Sequence, residues 1–127
     1  MNPLTTGDKV RLHGLHCLAR LALRLRPPLQ AKALVERIAR VLPSIDGVDD
    51  ARAAVRELYP SGSCLSRALT IAARLPGAEV VIGVHAWSSA QLSAHAWLQI
   101  DEQSVDTSPG SNTQLPTELA RLPPRRV

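Results

Sequence analysis

The apolar period of this chain changes once, at Pro76–Gly77, and that change restricts the folds open to it. Up to Leu75 the apolar residues recur at helical spacing. From Ala78 they gather in the runs "AEVVIGVHAW" and "AHAWLQI", which read as strands. Helices that precede strands, rather than alternate with them, predict an α+β fold: N-terminal helices, one helix before the break, then an antiparallel β-meander.

The 127 residues fit one domain with a modest core. We expect a helical part over residues 6–60, a helix plus sheet over 61–108 and a loose tail over 109–127. Thr6 or Asp8 caps a first helix to Arg24, with Leu12, Leu15, Cys17, Leu18, Leu21, Ala22 and Leu25 as its apolar stripe. "RLRPPL" ends it. A second helix covers Leu29–Leu42, with Ala33, Leu34, Ile38, Val41 and Leu42 inward. Asp49 or Asp50 starts a third, to Leu58. Ser61 or Ser63 caps a fourth from Cys64 to Leu75, burying Leu65, Ala68, Leu69, Ala72 and Leu75. "SSAQLS" reads as a polar loop, "SVDT" as a third strand, and Thr117–Leu122 as a short helix.

Composition excludes several functions. Aromatic residues make up 2% of the chain and Phe is absent, so base-stacking platforms for single-stranded nucleic acid are nearly excluded. A net charge of +4 favours an acidic partner, or describes an Arg-solvated helical surface. Cys17 and Cys64 make no disulfide framework. His13, His16 and Cys17 cluster on one helix without a convincing fourth ligand, and no CxxC or HExxH spacing exists, so no metal is expected. "LHGLHCLARLALRL" is broken by His and Arg, which fits neither a signal segment nor a membrane span. The expected location is the cytoplasm.

The chemistry concentrates in "PSGSCLSRAL" and "SAHAWLQIDEQSVD". Cys64 falls at a helix start, where free N–H groups and the helix dipole favour a thiolate and could bind an oxyanion. A small buried residue in a first helical turn is the other reading. His95 shares one strand face with Trp97 and Gln99, while Ala94, Ala96, Leu98 and Ile100 form an apolar face. Together Cys64 and His95 suit a nucleophile and its base; a solvated strand histidine is the alternative.

Asp101 follows His95 by six strand residues of ~3.3 Å each, about 20 Å, so it reads as a turn residue. Asp106 returns on the next strand. A two-residue turn at 101–102 pairs it with Trp97 and makes it a diagonal neighbour of His95; a turn at 102–103 pairs it with Gln99. A three-residue turn would reverse its face.

The order Cys64, His95, Asp106 on helix start, strand and next strand resembles the transglutaminase-like (papain-type) cysteine enzymes. The closer resemblance is to the lasso-peptide B2 proteins, which are leader peptidases. It is carried by "CLSRAL", "VVIGVHAW", "AHAW" and "VD", with "RLRPPL" upstream, over residues 8–108. The family often has a glycine in the turn after the histidine strand and a proline after "CL"; here those places hold "DEQ" and Ser66.

The resemblance implies a cysteine peptidase that cuts a precursor peptide between leader and core, with catalytic Cys64, His95 and Asp106 and no cofactor. It also implies two partners: a separate leader-binding protein of the RRE type and a lasso cyclase. His85, Trp97 and Arg67 are candidate substrate-binding residues, each with a plainer reading as a solvated, core or ion-paired side chain. Trp87 could share the cleft, and Tyr59 and Ser63 could shape the oxyanion site. An acyltransferase or deamidase of the same superfamily, or a non-catalytic basic peptide-binding module, are the alternative functions.

Overall fold

The computed structural model describes residues 6–42, 44–45, 47–88, 91–107 and 117–122, with side chains at 84–94 and 117–120 excepted. Four helices, α1 (Thr6–Leu25), α2 (Pro28–Ala39), α3 (Gly47–Leu58) and α4 (Cys64–Arg74), precede four strands. These are β1 (Glu79–Ser88), β2 (Gln91–Ile100), β3 (Gln103–Asp106) and β4 (Thr117–Leu122), in the antiparallel sheet order β3-β2-β1-β4. The architecture is α+β.

Local signals account for several element ends. Pro27 caps α2 with φ −60°, and Pro28 opens it, where a missing N–H costs nothing. Ser63 caps α4 from extended backbone. Its Oγ accepts from the Ser66 amide at 3.1 Å, and Ser66 Oγ accepts from the Ser63 amide at 2.9 Å. Gly77, at φ +91°, turns the chain from helix into sheet.

α4 is the centre of the molecule. Every residue from Ser66 to Leu75 is buried, because α1, α2 and α3 pack around it and the sheet covers the rest. The main core joins Leu69 and Ile71 of α4 to Val80, Leu98, Ile100 and Val105 of the sheet, and to Leu12, Val55 and Leu58 of the other helices. Burying each such side chain contributes about 1.5–3 kcal/mol. A second cluster joins Leu15, Ala19, Val35, Ala39 and Ala73.

The structure departs from the sequence reading at several points. On α1, His16 and Ala19 are buried, whereas Cys17 is exposed and Leu21 and Leu25 are 55% and 70% exposed. On α2, Ala31, Lys32, Val35 and Ala39 face inward, and Val41 is 82% exposed. Small alanines permit close approach to α4, and that contact selects the buried face over the row of larger side chains. β2 starts at Gln91, inside the expected polar loop. Thr117–Leu122 is strand β4 and not a helix: it pairs with β1 from Val80↔Leu122 to Val84↔Thr117. The open β1 edge supplies ladder partners that outweigh the local helical pattern. The Trp87 side chain and the rest of the expected tail lie outside the described residues.

Candidate active site

The hairpin register places the carboxylate. Ile100 pairs with Gln103 across the turn Asp101–Glu102, so Trp97 pairs with Asp106. Asp101 takes φ 53° there, a left-handed conformation that Asp tolerates better than most residues. Asp106 therefore lies on the His95 face, one pair away along the diagonal. Its Oδ1 is 2.9 Å from His95 Nε2. Asp101 stays exposed at the turn, where its carbonyl accepts from Gln99 Nε2.

The thiol meets the sheet where β3 ends. Ala96 is the residue just past the last β2–β3 pair, so among the described residues its amide has no strand partner on that side. It donates to Cys64 Sγ at 3.4 Å instead. The Thr107 hydroxyl lies 2.7 Å from the Ala96 carbonyl and 3.1 Å from the Cys64 carbonyl. One buried side chain thus fastens the nucleophile turn to the strand that carries His95. His95 also hydrogen-bonds the Cys64 thiol.

These contacts shift both groups towards an ion pair. Burial raises the Cys64 pKa, but His95, the Ala96 amide and the nearby Arg67 charge outweigh it, so the thiol lies below its ordinary value. His95 is raised, chiefly by its hydrogen bond to Cys64 and then, against desolvation, by Asp106. Trp97 stacks on the imidazole at 6.2 Å and is 4% exposed, so it braces His95 from within the fold.

Arg67, read from sequence as a substrate contact or a surface ion-paired side chain, turns inward and is 4% exposed. Its Nε donates to the Thr107 carbonyl at 2.6 Å, and Nη1 donates to the Ser61 and Gly62 carbonyls at 2.8 and 3.3 Å. Its guanidinium lies 5.1 Å from the Tyr59 ring centroid. The planar fork suits this task, since it holds the loop before Cys64 and the end of β3 in one grip. Thus Tyr59 and Ser63 serve the turn as Arg67 platform and helix cap.

The structure brings Cys64, His95 and Asp106 together and leaves Arg67 and Trp97 behind them. The His85 side chain lies outside the described residues. Sequence reasoning missed Thr107, Gly62, Ser66 and His16 as parts of this neighbourhood. The Ser63–Ser66 spacing was the one available signal, as a capping pair; the others depend on long-range contacts.

Among the described residues, no group of three or more His, Cys, Asp or Glu side chains is placed to hold a metal ion. His16 is committed to Ser66, and His13 Nε2 lies 3.7 Å from Glu57 Oε1. No helix among the described residues is long and apolar enough to cross a membrane.

Residues 9–118 match the family model described as the transglutaminase-like superfamily. No curated protein and no solved structure matched the chain.

Proposed function

This chain belongs to the transglutaminase-like superfamily, and on that premise we propose that it is a cysteine peptidase that removes the leader from a lasso-peptide precursor. The observation that carries the enzymatic part is the contact chain Cys64–His95–Asp106, in which a lowered thiol pKa faces a raised imidazole pKa. The motifs "CLSRAL", "AHAW" and "VD" in their order support the substrate class.

Cys64 Sγ attacks the scissile carbonyl carbon as thiolate while His95 is imidazolium. The amide C–N bond breaks as His95 gives its proton to the leaving amine, and the leader remains as a thioester on Sγ. Neutral His95 then takes a proton from water, whose oxygen attacks the thioester. The C–S bond breaks and the leader leaves with a free carboxylate. Asp106 holds the ring orientation and stabilises the imidazolium. The start of α4 supplies N–H groups near the carbonyl oxygen.

A separate leader-binding protein and a cyclase are the partners of this reading, and the cytoplasm its location. Mass spectrometry of a candidate precursor, incubated with this protein with and without the leader-binding partner, tests it. The expected products are leader and core whose masses sum to precursor plus one water. An amine adduct or a one-dalton gain without cleavage would replace peptidase by acyl transfer or deamidation. Turnover unchanged in folded Cys64→Ala would overturn the nucleophile.

A further inference from the structure

Two residues past Cys64, a buried imidazole from a distant helix meets the nucleophile turn. His16 of α1 is 2% exposed, and its Nε2 lies 2.8 Å from Ser66 Oγ. Ser66 Oγ also accepts from the Ser63 amide at 2.9 Å and lies 3.0 Å from the Ser63 carbonyl. A serine hydroxyl has one proton to donate and two acceptor sites. If His16 Nε2 carries its proton, Ser66 accepts from both His16 and the Ser63 amide and still donates to the Ser63 carbonyl. The opposite tautomer would make His16 and the Ser63 carbonyl compete for that single hydroxyl proton. The Nε2–H tautomer therefore satisfies the whole cluster. Burial, with Arg20, Arg67 and His13 nearby, lowers the His16 pKa to about 4, so the ring is neutral at neutral pH.

The loop before Cys64 closes over this contact. Gly62 has φ +69°, and a Cβ there would stand 2.5 Å from Ser66 Oγ and 2.7 Å from His16 Nε2. Backbone dihedral and space both require glycine. Arg67 holds the Gly62 carbonyl as well. The turn that presents Sγ is thus held by His16 through Ser66 and by Arg67 through the loop.

We propose that His16 is a positioning residue for the nucleophile. It donates to Ser66, Ser66 and Ser63 fix the first turn of α4, and that turn sets Cys64 Sγ against the Ala96 amide and His95. α1 then belongs to the active site as well as to the scaffold. The inference rests on Cys64 and His95 acting as nucleophile and base, and not on the identity of the peptide.

The test reads thiol ionisation and needs no substrate. In a Cys17→Ser background, the rate of Cys64 alkylation by iodoacetamide is measured against pH for His16→Leu, His16→Gln, Ser66→Ala and His95→Ala, with circular dichroism to establish folding. His16→Leu and Ser66→Ala should raise the midpoint of the profile by about one pH unit, with a rate about tenfold lower on the acid side of both midpoints. His16→Gln, which keeps an N–H donor, should stay near the parent. If His16→Leu does not fold, Ser66→Ala decides, since Ala suits a first helical turn. A parental profile in folded Ser66→Ala, with His95→Ala shifted, overturns the positioning role alone. Parental profiles in both overturn the nucleophile–base reading and the positioning role with it.

Discussion

His95 Nε2 stands 2.9 Å from Asp106 Oδ1 across a hairpin whose direct pairing is Trp97↔Asp106. The contact is diagonal, and a two-residue turn at 101–102 is what makes it possible. Asp101→Asn and Asp106→Asn are chemically identical changes, so they isolate position. Asp106→Asn should lower turnover on the order of 10²–10⁴-fold with little change in melting temperature. Asp101→Asn should leave both nearly unchanged, because Asn also tolerates the φ of 53° at that place. Steady-state rates and thermal melts of the two variants check this. An inactive Asp101→Asn would contradict the catalytic assignment of Asp106.

The two cysteines should differ against their exposure. Cys17 is exposed and Cys64 half-buried, yet the Cys64 thiol is held below its ordinary pKa. At pH 6–7, iodoacetamide should label Cys64 faster, as read by peptide mass mapping. Equal slow labelling would remove the thiolate from the mechanism. Cys17→Ala should leave activity intact.

Peptidase activity should follow a bell in pH that is wide for a thiol–imidazole pair. The acid limb reports ionisation of Cys64, which lies below its ordinary value; the alkaline limb reports loss of the His95 proton, which is held above its ordinary value. Asp106 is one of the groups that raise His95, so Asp106→Asn should move the alkaline limb to lower pH. Initial rates across pH 5–10 test the direction. A shift of that limb to higher pH would show that Asp106 does not stabilise the imidazolium.

Arg67→Met should destabilise the fold by about 2–4 kcal/mol, because it leaves the Thr107, Ser61 and Gly62 carbonyls without their charged donor. Arg67→Lys should recover only part of that, since an ammonium cannot span the fork. Urea unfolding measures both. A Lys variant as stable as the parent would mean that charge, and not geometry, is what the site needs.

His16 makes stability fall in mild acid. Its pKa is about 4 in the fold against 6.5 for the free side chain, so the unfolded chain binds the proton more readily. The contribution of neutral His16 is complete above pH 6.5 and declines by about 1.4 kcal/mol per pH unit as pH falls towards 4. His16→Gln should flatten the stability curve between those values, measured by urea unfolding at each pH. An equally steep curve in that variant would assign the acid sensitivity to other groups.

The sequence by itself determined the order of elements as far as β3 and the start of α4, and it put Asp106 on the His95 face for any two-residue turn. These are local properties: a period change at Pro76–Gly77, a serine cap at Ser63, and a period-two strand whose side follows from the length of its turn. Tertiary structure decided the rest. Which face α1 buries depends on how closely α4 can approach, so His16 and Ala19 are inside while Leu21 and Leu25 are out. Thr117–Leu122 became a strand because the edge of β1 offered it partners. Arg67 turned inward because the carbonyls of Ser61 and Gly62, just before it in the chain, and of the distant Thr107 converge on it. Thr107 has no sequence signal for its place, since its hydroxyl acts only once β2 and the Cys64 turn lie on either side of it. Burial and hydrogen-bond partners across long sequence separations are set by the packing of whole elements, and no local pattern encodes them.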